Sequence, residues 1–144
     1  MSNVKIVGVD GSKPGERAAA FAANVARAQG ANLLIVYVIE WSPYTFNTPE
    51  ENEMRHKRRE EEIESANSNV LEPMLDQLSG GDSEVEGIVL HGHPAKTLNR
   101  MARDKGASQI FVGRTGGSGI SKLIFGSVAS NLVQTATVPV TVIP

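Results

Sequence analysis

The chain contains no cysteine, which excludes disulfides and thiolate metal sites. Aromatics are sparse: one Trp, two Tyr and four Phe in 144 residues. Charge of one sign is missing as well. Fourteen Lys and Arg stand against sixteen Asp and Glu, a formal net charge of −2. A balance of this kind argues against a polyanion partner such as nucleic acid. No apolar run approaches the roughly 20 residues of a membrane span, so no membrane insertion is expected. The start, Met1-Ser2-Asn3-Val4-Lys5, lacks the basic-then-apolar form of a secretory signal. These absences predict a cytoplasmic protein. Two common phosphate-binding motifs are missing too. Lys122 follows Ser121, so there is no G-x-x-x-x-G-K-[ST], and Gly117-Ser118-Gly119 has Lys122 where G-x-G-x-x-G needs its third glycine.

What is present is alternation. The length suits one domain, residues 1–144, with a single core. Residues 4–10 carry Val4, Ile6, Val7 and Val9 and end at Asp10-Gly11-Ser12. A short β-branched run of this kind reads as a strand buried on both faces. Residues 14–30 read as a helix, with Ala18, Phe21, Ala22, Val25 and Ala26 inward and Gly30 as its stop. Residues 32–39 form a second strand. The stretch 40–48 is a loop holding Trp41, Tyr44 and Phe46, three of the seven aromatics. Such a cluster packs over a sheet edge, covers a ligand or meets a partner.

Thr48-Pro49-Glu50-Glu51 signals a helix start, with a threonine cap, a proline in the first position and a capping box closed by Glu51. Residues 53–64 mix Arg55, Lys57, Arg58 and Arg59 with Glu60, Glu61, Glu62 and Glu64, the pattern of a solvated helix. Pro73 should kink or divide the helix as it runs on to Gly80-Gly81. Residues 84–90 form a third strand, followed by His91-Gly92-His93-Pro94. A metal reading of His-x-His needs further ligands, and a strand-end loop fits better. A helix over 94–105 follows, with Leu98, Met101 and Ala102 inward. A fourth strand covers 109–112, and the last runs from Thr137 to Ile143.

This order, β-α-β-α-β-α-β-α-β, predicts an α/β fold. The expected form is a Rossmann-like, single-domain, five-stranded parallel sheet of order 3-2-1-4-5, with helices on both faces. Ligands of such sheets bind at the carboxyl ends of strands, where the order reverses. Asp10 and the segment after Val112 would face each other there. That segment reads Gly113-Arg114-Thr115-Gly116, nine further residues, then Gly126-Ser127. Glycines let backbone N–H groups approach phosphate oxygens, and the following helix start adds its free N–H groups and dipole. Ser127 is the expected N-cap. Glycine in loops also serves plain turns, and Asp10 could simply shape its own.

The spacing G-x2-G-x9-G-[ST], met by Gly113, Gly116, Gly126 and Ser127 behind a Val-Asp-Gly-Ser turn, resembles the ATP-binding branch of the universal stress protein family over essentially the whole chain. The resemblance implies ATP or another adenine nucleotide as ligand, with magnesium or manganese. It places Asp10 by the ribose and base, and the backbone of Val38 against adenine. Gly113, Gly116, Gly126 and Ser127 would take ribose and phosphates, with Val9, Thr115, Val128 and Ala129 lining the site. It also implies a homodimer through the last strand, residues 137–143. The expected role is regulatory, with occupancy read by a protein partner in a stress response. A slow ATPase or autophosphorylating enzyme and a nucleotide-free scaffolding or chaperone-like dimer are the alternatives. No base-plus-nucleophile set is visible in the sequence, and no catalytic residue is assigned. Asp10-Gly11-Ser12-Lys13 replaces the S-G-G-x-D-S loop of related folds that activate substrates with ATP.

Overall fold

The computed structural model describes residues 3–40, 48–115 and 126–144. The elements are β1 (Val4–Val9), α1 (Lys13–Gln29), β2 (Asn32–Glu40), α2 (Pro49–Ala66), a π-turn (Asn67–Leu71), α3 (Glu72–Leu78), β3 (Val85–Gly92), α4 (Pro94–Lys105), β4 (Gln109–Gly113), α5 (Ser127–Thr135) and β5 (Val140–Ile143). The strands form one sheet of order β3-β2-β1-β4-β5, and every neighbouring pair is parallel. This is the expected architecture. The order reverses between β1 and β4.

Period-two alternation sends strand side chains to two cores. Ile6, Leu34, Val36, Val38, Ile110 and Val112 pack with α4 and α5 through Leu98, Met101, Ala129 and Leu132. Val7, Val9, Ile35 and Phe111 pack on the other face against α1 and the π-turn–α3 segment. Burial of such side chains stabilises the fold by roughly 1.5–3 kcal/mol each. The buried stripe of α1 is Gly15, Ala18, Ala19, Ala22, Ala23 and Ala26, small enough for the helix to lie close to β1 and β4. Phe21, expected inward, sits at the margin of that stripe. It is 47% exposed, and its ring tilts against Phe111 at a centroid distance of 6.1 Å.

The start of α2 is as its sequence implies. Thr48 Oγ1 accepts from Glu51 N–H at 3.1 Å, and Glu51 Oε2 accepts from Thr48 N–H at 3.2 Å. Ala66 is its one buried residue, so the helix is solvated along its charged length. Pro73 has no N–H to give, and the helix meets it with a π-turn in which Glu72 N–H donates to Asn67 O. The backbone stays helical from α2 through the π-turn into α3, so Pro73 is accommodated without a break in the helix.

The last strand is shorter than expected. It begins at Val140, not Thr137, because Pro139 cannot donate to the ladder. Pro139 still contributes its carbonyl, which accepts from Ile110 N–H at 3.0 Å. Among the described residues, no helix is long and apolar enough to cross a membrane.

Candidate functional site

β1 ends in a turn fixed by its own side chains. Asp10 Oδ1 accepts from Ser12 N–H at 3.0 Å and from the Ser12 hydroxyl. Ser12 Oγ in turn accepts from Gly15 N–H at 3.3 Å and caps α1. Gly11 takes φ 83°, a conformation side chains rarely adopt. Asp10 is therefore the turn's organiser as well as a candidate ligand contact. On the other side of the sheet, the Tyr37 phenol has its pKa raised, first by burial and then by the charges of Asp10 and Glu62.

β4 ends at Gly113. A Cβ there would lie 2.9 Å from Pro14 Cβ and 3.0 Å from Pro14 C, so this glycine lets α1 and β4 close on each other. The motif resemblance implies a place for it by ribose and phosphates. Its first requirement is helix–strand packing.

Gly126 rather than Ser127 occupies the N-cap of α5, and Ser127 is the first helical residue. The expected serine cap is displaced because Gly126 is tied to Arg114, the residue after β4. Its N–H donates to Arg114 O at 2.8 Å, and its carbonyl accepts from Ser130 N–H at 3.0 Å. The intrahelical ladder gives no acceptor to the N–H groups of Ser127, Val128 and Ala129, the first three of the helix. They carry the positive end of its dipole.

These ends meet around one cleft of about 290 Å³. Val9, Asp10, Val38, Gly113, Thr115, Gly126, Ser127, Val128 and Ala129 all line it. Gly116, Trp41, Tyr44 and Phe46 lie outside the described residues. The cleft also takes in Gly8, Gly15, Val36, Glu40, Pro94, Leu98 and Val112, none of which the sequence reading placed there. Period two was the available signal for three of them. Gly8 shares a face with Asp10, and Val36 and Glu40 share one with Val38. Pro94 and Leu98 come from α4, which packs over the same face.

The histidines after Leu90 have structural partners. His91, in β3, lies 3.2 Å from Glu62 Oε2 of α2. His93 caps α4, its Nδ1 accepting from Lys96 N–H at 3.3 Å. Among the described residues no group of three or more His, Asp or Glu is placed to hold a metal ion.

The cleft combines polar groups, the Asp10 and Glu40 carboxylates and the start of α5, with an apolar wall. The start of α5 offers N–H donors on the β4 side, and Val36, Val38, Leu98 and Val112 make the wall. Such a cleft suits a ligand with an anionic end and a flat apolar body.

Comparison with known proteins agrees with this architecture. The model of the universal stress protein family matches residues 3–144. A universal stress protein of Bacillus subtilis, YxiE, is 29% identical over 152 residues, covering 99% of each chain. A universal stress protein of Thermus aquaticus is 32% identical over 135 residues, covering 94% of this chain and 93% of its own. Among solved structures, UspA of Lactobacillus plantarum superposes with a TM-score of 0.82 at 23% identity, covering 100% of this chain and 99% of that one. A universal stress protein solved with cAMP gives 0.60 at 24% identity, covering 99% and 96%. One from Archaeoglobus fulgidus, solved with dAMP, gives 0.62 at 23% identity, covering 100% and 98%. On the strength of the family match along its length, the chain belongs to the universal stress protein family.

Proposed function

We propose that the cleft binds an adenine nucleotide, ATP first, and that occupancy sets a conformation or assembly read by a partner protein in a stress response. One observation carries this reading: the cleft joins the first N–H groups of α5, which have no acceptor within the helix, to an apolar wall at the β1–β4 reversal. The phosphates would lie on Ser127, Val128 and Ala129, and the base against Val36 and Val38. The relatives solved with cAMP and dAMP support an adenine nucleotide as the ligand class. Magnesium or manganese would enter with the phosphates, whose oxygens would supply most of its ligands.

The experiment is acid release of nucleotide from freshly purified protein, followed by turnover of added ATP over hours. Retained ATP without ADP production is the expected result. Steady ADP production would make the protein a slow ATPase. A cleft that neither retains nor takes up nucleotide would leave a scaffolding role.

Assembly is the second element of the proposal. β5 is an edge strand, and it is short, apolar and uncharged, so it invites pairing with a second copy. The Ile110 and Arg114 N–H groups donate to Pro139 O and Ile143 O. In a parallel ladder that alternation turns the N–H groups of Val140 and Val142 outward. The side chains of both residues pack on the core, so a lysine at Val140 would disturb the fold along with any contact. Val142→Pro is the cleaner test, because it removes an outward donor and keeps an apolar residue. The wild-type chain should run as a two-fold dimer in light scattering at tens of micromolar, and Val142→Pro as a monomer. A wild-type monomer would refute the dimer, and a dimeric Val142→Pro would move the interface elsewhere.

A further inference from the structure

Glu40 is the last residue of β2 and lines the cleft on the side away from α5. Among the described residues it has no hydrogen-bond or ion-pair partner. Alternation explains its place. Leu34, Val36 and Val38 face α4 and α5, and Glu40 continues that face beyond the last apolar position. Between β2 and β4 lies only β1, so the carboxylate and the α5 side of the cleft are about two strand spacings, roughly 10 Å, apart. Among the described residues no lysine, arginine or histidine lines the cleft.

The cleft therefore has two poles of opposite character. The α5 end attracts anions through N–H groups and dipole. The Glu40 end repels anions and accepts hydrogen bonds. Between them lie the apolar wall and, at the end of β1, the Asp10 carboxylate, one oxygen of which is taken by the Ser12 turn. A nucleotide can satisfy both poles in one orientation only, with phosphates on α5 and the base toward Glu40. A carboxylate there rewards a base that presents N–H donors.

We propose that Glu40 is a specificity residue of this cleft, accepting a hydrogen bond from the exocyclic amino group of the base and rejecting bases that lack one. The ligand class is thus an amino-bearing nucleobase carrying phosphates. This deepens the nucleotide reading above and rests on it. It adds a base-reading side chain, whereas phosphate contacts on α5 treat all nucleotides alike.

The test is a calorimetric comparison of ATP with purine riboside triphosphate, the same nucleotide without the 6-amino group. It is run on the wild-type chain, Glu40→Gln and Glu40→Ala, with folding checked by circular dichroism. A hydrogen bond to a charged acceptor corresponds to about tenfold or more in affinity. The wild-type chain should therefore prefer ATP by about tenfold. Glu40→Gln keeps an amide oxygen and should retain part of that preference, and Glu40→Ala should bind the two within about twofold. An undiminished preference in Glu40→Ala would overturn the role of Glu40 and leave the nucleotide site standing. Failure of both nucleotides to bind the wild-type chain would remove the site reading and this proposal together.

Discussion

The two ends of the sheet treat polar groups in opposite ways. At the amino ends of the strands they close on one another. The Lys5 ammonium, in a residue 3% exposed, donates to Ser108 Oγ at 3.1 Å and Gln109 Oε1 at 3.2 Å. Ser108 Oγ donates in turn to Asn3 Oδ1 at 2.7 Å, and Gln109 Nε2 to Thr141 Oγ1 at 2.6 Å. At the carboxyl ends Asp10 and Ser12 still hold each other, but the first N–H groups of α5 border a cleft on one side and the Glu40 carboxylate on the other. Polar groups that satisfy one another build a fold. Polar groups with no partner in the ladder are available to a ligand. The difference also explains why a buried lysine need not mark a site.

Three substitutions would sharpen or break that contrast. The largest effect is expected at Gly126. Its φ of −60° and ψ of 157° are open to any residue, so Gly126→Val should fold, at a cost of about 1 kcal/mol for a poorer N-cap. Its side chain would stand where phosphate must approach. Loss of two hydrogen bonds of roughly 1.5–3 kcal/mol each should weaken ATP at least a hundredfold in calorimetry.

Gly113 lies in the same motif and should behave differently. Gly113→Val drives a branched side chain into the backbone of Pro14. Overpacking against backbone that cannot yield should cost about 3 kcal/mol of stability in urea unfolding. Gly113→Val that is fully stable but binds no nucleotide would show that Gly113 serves the ligand and not the packing.

The smallest effect concerns the closed end. Burial lowers the Lys5 pKa from the ordinary 10.5. Below the lowered value both folded and unfolded chains carry the proton, and its burial penalty is fully present. Between that value and 10.5 the unfolded chain binds more protons, so stability rises with pH. Thermal melts from neutral pH to 10.5 should show this rise in the wild-type chain. Subtracting the profile of Lys5→Met, which shares every other titrating group, should isolate it. Parallel profiles would mean that Lys5 is well solvated.

Much of the fold is legible in the sequence. Short β-branched runs alternating with helical periods leave few topologies once crossovers must be right-handed. The turn at Asp10, the Thr48 capping box and the α4 limits follow from local chemistry that tertiary packing does not override. The misses occur where packing decides. Ser127 has the better capping side chain, yet Gly126 caps because its N–H is held by Arg114. Val138 and Thr137 are strand formers, yet β5 starts after Pro139. In the cleft, motif residues from β1, β4 and α5 can be read by spacing. The wall from β2 and α4 belongs to no motif, and Leu98 looks like any inward residue of an amphipathic helix. Glu40 is polar at the end of an apolar run and reads as loop. Only the register Glu40↔Gly92 keeps it in the sheet.

The central claim is that the open pole of the sheet is a nucleotide site whose phosphates rest on the start of α5. Calorimetric titration of ATP into the wild-type chain and into Gly126→Val tests it most directly. The account predicts saturable one-to-one binding to the wild-type chain and at least a hundredfold loss in a folded Gly126→Val. Equal affinity in the two chains, with circular dichroism confirming both folds, would contradict it.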